Sequence, residues 1–185
     1  MAALLLSACA APAYVSPVEV TRFAASAAQL GQGTISLRPA PGMDEGLEFG
    51  IYRAAVAVEL ERLGYRVVSD MGAQVATIGV GENSFQPERR SPVSVGGNAG
   101  LGSYGSGVGL GVGINLNGPP AERIERQLSV TIRGNDAPAN LWEGRASFVA
   151  TANSDFAGDA PAATRAAAAL FEGFPGTSGE TIEVE

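Results

Sequence analysis

The stretch most like a ligand set is Asn153-Ser154-Asp155-Phe156-Ala157-Gly158-Asp159. Oxygen-bearing side chains at its first and third positions and a glycine at its sixth match the start of a calcium loop. The fifth position, however, is Ala157, and the twelfth is Thr164 where a bidentate glutamate belongs. Two ligands short, the stretch reads better as a turn leading into a helix whose cap is Asp159. Glu143 and Arg145 flank Gly144 and share one strand face, which reads as a surface ion pair. Arg89 and Arg90 form a candidate contact for lipid phosphates, set against the plainer reading of a solvated loop. Trp142 reads as core or as a strand-end anchor; exposed beside Phe85 and Tyr104, it would instead be a candidate contact for a protein or glycan.

Much chemistry is closed to this chain. It has no histidine, so histidine triads, histidine-type zinc sites and imidazole bases are excluded. All 12 basic residues are arginine, so lysine Schiff bases and the lysine-dependent phosphate loop are excluded as well. A single cysteine allows no internal disulfide and no iron–sulfur cage. A carboxylate dyad stays open, since there are 19 acids, but no pair stands out by spacing. The expectation is a non-enzyme without a cofactor or metal. A net charge of -7 provides no positive footprint for a nucleic-acid backbone.

The one cysteine sits in Leu4-Leu5-Leu6-Ser7-Ala8-Cys9-Ala10. Leucine three before the cysteine and small residues at the cut resemble the lipobox of bacterial lipoproteins. The resemblance implies that Cys9 takes a diacylglycerol on sulfur and becomes the new N-terminus, with several acyl chains anchoring what one would hold only marginally. Residues 1–9 then read as a truncated lipoprotein signal, lacking the usual positive n-region and long apolar stretch. Alanine rather than aspartate after the cysteine points to the periplasmic face of the outer membrane. The expected partners are the membrane, through lipid on Cys9, and an envelope protein.

The elements that must position these residues follow from periodicity. Residues 10–17 read as a tether. Val18–Phe23 alternates, with Val18, Val20 and Arg22 on one side, and 33–39 and 65–68 read as further strands. Between them, 44–63 reads as a helix with Asp44, Glu45 and Glu48 at its start, an apolar stripe of Leu47, Ile51, Ala54, Ala55 and Val58, and Gly64 as its C-terminal cap. A strand follows at 75–80. Residues 81–106 lack a clear period and read as a loosely packed loop. In 107–117, Val108, Leu110, Val112, Ile114 and Leu116 alternate with glycines and Asn115. Its glycine side reads as a thin solvent face, the alternative being close approach of another backbone; a membrane-inserting role is weak, because a lone strand of this kind cannot satisfy its backbone in lipid, and the strand pairs as a hairpin with 124–133. In 124–133, Ile124, Leu128, Val130 and Ile132 face the core. Residues 141–150 continue the meander, a helix spans 160–173, and 177–185 reads as an acidic tail. The fold class expected is α+β: a mixed, mainly antiparallel sheet with two helices on one face, a single domain over 18–176.

Three phrases carry a further resemblance: Leu60-Glu61-Arg62-Leu63-Gly64-Tyr65 at the first helix end, Leu141-Trp142-Glu143-Gly144-Arg145-Ala146 on a strand, and Leu170-Phe171-Glu172-Gly173-Phe174-Pro175 after the last helix. In this order they resemble the bacterial lipoprotein family known as the domain of unknown function numbered 4136. The family supplies no catalytic residues to carry over. The function expected is a non-catalytic envelope interaction or maintenance role. The alternative is a carrier of a small apolar ligand or lipid, held between helices and sheet; a carboxylate hydrolase is the least favoured reading.

Overall fold

Period-two alternation builds most of this molecule. The computed structural model describes residues 12–25, 29–88 and 120–185, and the backbone of 93–102 and 105–114. Cys9, Arg89, Arg90 and Tyr104 lie outside the described residues. The strands are β1 (Val18–Ala24), β2 (Thr34–Pro39), β3 (Arg66–Val68), β4 (Gln74–Phe85), β5 (Val93–Gly102), β6 (Gly105–Ile114), β7 (Arg123–Gly134), β8 (Asn140–Thr151) and β9 (Thr181–Val184), with helices α1 (Leu47–Arg62) and α2 (Asp159–Phe171). Seven strands form one sheet in the order β3-β2-β4-β7-β8-β1-β9, and β5 and β6 form a separate two-stranded sheet. β2 runs parallel to β3 and β4, and the other pairs are antiparallel. The chain is thus α+β with a mixed sheet, as the order of elements predicts.

Parallel neighbours cannot be joined by a tight turn, so β2 and β3 need a crossover, and α1 supplies it. Gly64 ends that helix at φ +100°, a backbone state cheap only for glycine, and a Cβ there would lie 2.8 Å from the Gly31 carbonyl oxygen. The buried face of α1 is Phe49, Tyr52, Val56 and Leu60, not the stripe through Leu47 and Val58, both of which are exposed. The helix is apolar around most of its circumference, and the face carrying two aromatic rings removes more area from water. α2 buries Ala163, Ala167 and Leu170 and leaves Ala168 exposed. Its alanines let it sit close to both the sheet and α1.

Four expectations are corrected. The stretch 81–106 is largely strand among the described residues: β4 continues to Phe85, and 93–102 is strand. The glycine-alternating strand pairs with β5, while β7 pairs with β4 and β8. The hairpin partner was hidden because glycine and asparagine blur the period of 93–102. Residues 181–184 are no solvated tail but edge strand β9 on β1, since Ile182 and Val184 alternate with polar neighbours. The tether is docked at its end: the Ser16 N–H donates to the Val149 carbonyl at 2.9 Å, and the Tyr14 N–H to the Thr151 hydroxyl at 2.9 Å.

Candidate functional site

Trp142 comes from the core-facing parity of β8 and is fully buried. Its ring stacks on Phe171, with centroids 5.4 Å apart, and meets Phe174 at 5.2 Å. The indole N–H donates to the Pro175 carbonyl at 2.9 Å, which satisfies its one polar atom. The ring lies over Gly144, two residues along the same face; a Cβ at Gly144 would collide with the indole and come within 2.8 Å of Leu170 Cδ1. Trp142 is therefore a core residue, the first of its two readings, and the alternative of an exposed contact is overturned. The tryptophan–glycine phrase and the Leu170–Pro175 phrase are one packing unit, so they mark how α2 seats on the sheet rather than an activity.

The calcium look-alike has a different occupant. Arg126 stands at a core-facing position of β7 and is 3% exposed. Its Nη1 lies 2.6 Å from Glu82 Oε2 and 2.6 Å from Asp159 Oδ1, and its Nη2 donates to the Ala157 carbonyl. A guanidinium thus holds the carboxylate and carbonyl that a cation would have needed. Burial alone would lower the arginine pKa, but Asp159 and Glu82 outweigh it and raise it. Asp159 opens α2 without capping it through its side chain, because that side chain serves Arg126. No cluster of three or more candidate metal ligands exists among the described residues. Arg126 was missed in the sequence, although it shares parity with Ile124 and Leu128; a charge at a core-facing strand position was the available signal.

Arg22 repeats the pattern on β1, where it follows Val18 and Val20 into the buried face. Its Nη2 donates to the Ala169 carbonyl at 3.0 Å. Burial lowers its pKa, opposed by Glu172 and Glu180. A cleft of about 300 Å³ opens beside it, but those two glutamates line that cleft and cancel the charge that would draw an anion.

The face of the sheet away from the helices holds a groove of about 710 Å³. Gly79 and Gly81 of β4 put no side chain on this face, and the groove takes in both. Phe23, half exposed, and the Glu143–Arg145 pair at 3.0 Å line it further along, with Gln127 and Ser129 of β7 between. The expected surface pair of Glu143 and Arg145 is therefore present and borders this groove. The groove offers carboxylate, guanidinium, amide, hydroxyl and one aromatic ring.

No protein-family model matches the chain, and no curated protein matches it. Solved structures do. A PDZ domain protein from Parabacteroides distasonis is 13% identical with a TM-score of 0.51, covering 92% of this chain but only 38% of its own. Two structures of the PelC dodecamer from Paraburkholderia phytofirmans are 9% and 11% identical, each with a TM-score of 0.44, 83% of this chain covered and 94% of theirs. At such identities the likeness extends to the fold alone.

Proposed function

We propose that this chain is a lipid-anchored, non-catalytic interaction module of the bacterial envelope, related to the lipoproteins of the family numbered 4136. Cys9 carries the acyl chains that hold it at the periplasmic face of the outer membrane. The open face of the seven-stranded sheet receives an envelope protein.

The observation that carries this reading is the asymmetry of the sheet. One face is sealed by α1 and α2 over a filled core that includes Tyr52, Ile78, Leu128, Trp142 and Leu170. The other is open, with the groove at Gly79 and Gly81. A carrier would need an enclosed apolar space between helices and sheet. That layer is occupied instead by Trp142, Phe171 and their neighbours. Hydrolysis by a carboxylate pair would need two acids converging on a reacting atom; the acids that meet at Arg126 are neutralised by it.

A photo-crosslinking residue at Ser129, read out in intact envelopes, tests this. The expected result is a discrete adduct with one envelope protein, absent when the probe sits at exposed Ala168 on α2. Recovery of a co-purified lipid and no protein adduct would favour the carrier. Intact mass of protein taken from membranes tests the anchor: the acyl mass is expected on Cys9 and is lost in Cys9→Ser.

A further inference from the structure

The two-stranded sheet of β5 and β6 is not absorbed by the function above. Its register pairs Val93 with Ile114, Val95 with Val112, Gly97 with Leu110, Ala99 with Val108 and Leu101 with Ser106. These pairs fall on one face. The opposite face is Ser94, Gly96, Asn98, Gly100 and Gly102 facing glycines throughout. Each strand is 10 residues long. No charged residue occurs from 91 to 121 in the sequence. The hairpin lies between β4 and β7 along the chain and forms its own two-stranded sheet. β4 and β7 pair as far as Phe85 with Arg123, and β5 and β6 resume at Val93 with Ile114, so seven residues on one limb stand against eight on the other. The two ladders differ in register by a single residue.

From this juxtaposition we propose that β5 and β6 form a membrane-spanning β-hairpin, with lipid acyl chains covering the aliphatic face and neighbouring copies of this chain pairing with the two outer edges. The length matches what a bilayer demands, about 9–11 residues per tilted strand. The pattern matches as well: aliphatic residues on one parity, and small or polar ones on the other. The objection that a lone strand cannot satisfy its backbone in hydrocarbon loses its force once the strand is one of a pair repeated around a ring. A closed barrel of the smallest common size, about eight strands, needs about four copies. Glycines on the inner face suit such a narrow lumen, where larger side chains would crowd.

Water is a poor alternative solvent for this hairpin. The open face of the same molecule's main sheet carries Glu19, Gln127, Glu143 and Arg145, whereas the hairpin carries no charge on either face. Face-to-face pairing with a second copy in water would cover the aliphatic parity but leave both strand edges unpaired, an arrangement that soluble proteins avoid.

The chain has one cysteine, so Cys9→Ser gives a clean background for single labels. Full-length protein bearing an environment-sensitive fluorophore at Val112→Cys or at Gly111→Cys is mixed with vesicles of phosphatidylethanolamine and phosphatidylglycerol, some with brominated acyl chains. The expected result is a blue shift and severalfold stronger bromine quenching at 112 than at 111, repeated at Val95→Cys against Gly96→Cys, with Ser129→Cys unaffected. Chemical crosslinking of the vesicle-bound protein is expected to give oligomers of at least four copies. Equal quenching on both parities, no quenching at any position, or aliphatic positions already shielded in a vesicle-free dimer would each overturn the proposal. None of these outcomes bears on the crosslink expected at Ser129, so the two readings fail separately.

Discussion

The seven-stranded sheet and the β5–β6 hairpin obey the same alternation but differ in what their second parity carries. In the sheet, one parity supplies Val18, Val20, Leu128, Val130 and Phe148, and helices cover it. Its other parity carries charge, as at Glu19, Glu143 and Arg145. In the hairpin one parity is equally aliphatic, but the other is nearly all glycine and no charge appears anywhere. The difference teaches that period two identifies a strand with two unlike faces, and that the polar parity tells which solvent the strand was built for.

This contrast can be broken by substitution, beginning with the largest effect. Trp142→Ala empties the site under Phe171 and Phe174 and strands the Pro175 carbonyl; a loss of about 3–5 kcal/mol is expected from denaturant unfolding. Gly144→Ala drives a methyl into an indole that Phe171 and Phe174 hold in place, at a cost of about 1–3 kcal/mol. The same change at Gly109, in the hairpin, is expected to leave the unfolding midpoint of the main domain unmoved. Equal effects at the two glycines would show that the two regions share one core.

Arg126→Leu is expected to cost about 1–2 kcal/mol, because Glu82 and Asp159 lose their shared partner while remaining partly solvated. Urea unfolding at neutral pH checks it. Addition of calcium to this variant tests the look-alike loop, and no gain in stability is expected, since the fifth and twelfth ligands are still absent.

The smallest effect is a pH dependence confined to the main domain. Burial pushes the phenols of Tyr52 and Tyr65 above the ordinary 10.0, opposed at Tyr52 by Arg126 and at Tyr65 by a hydrogen bond with Gly31. The folded chain keeps these protons where the unfolded chain has lost them. Their contribution is therefore complete below pH 10 and is lost as pH rises through the folded values. Tyr52→Phe keeps the ring and removes the buried hydroxyl beside Arg126. Thermal melts of this variant are expected to match the parent at pH 7 and to decline less steeply above pH 10.

The sequence reveals the fold wherever one residue type settles a position. Gly64 after an apolar helix, Pro39 at a strand end, and the alternation through Leu128, Val130 and Ile132 all predict what is found. It misleads where two answers have similar weight. α1 is apolar on several sides, so the choice between Leu47 and Phe49 as the start of the buried stripe was settled by packing alone. Residues 93–102 contain too much glycine to show their period until their partner is known. β9 was concealed by its glutamates, although Ile182 and Val184 mark it as a strand. The site was less legible than the fold. Trp142 and the phrases around it are core, the acids of the calcium look-alike belong to Arg126, and the groove depends on two glycines, Gly79 and Gly81, whose meaning comes from the sheet around them.

The claim that one molecule has two solvents is tested most directly by flotation of purified Cys9→Ser protein with vesicles of phosphatidylethanolamine and phosphatidylglycerol. With no acyl chain attached, the hairpin is expected to hold it there. The protein is expected to rise with the vesicles and to stay through washes with high salt and alkaline carbonate. Protein left at the bottom of the gradient, or stripped by carbonate, would contradict it.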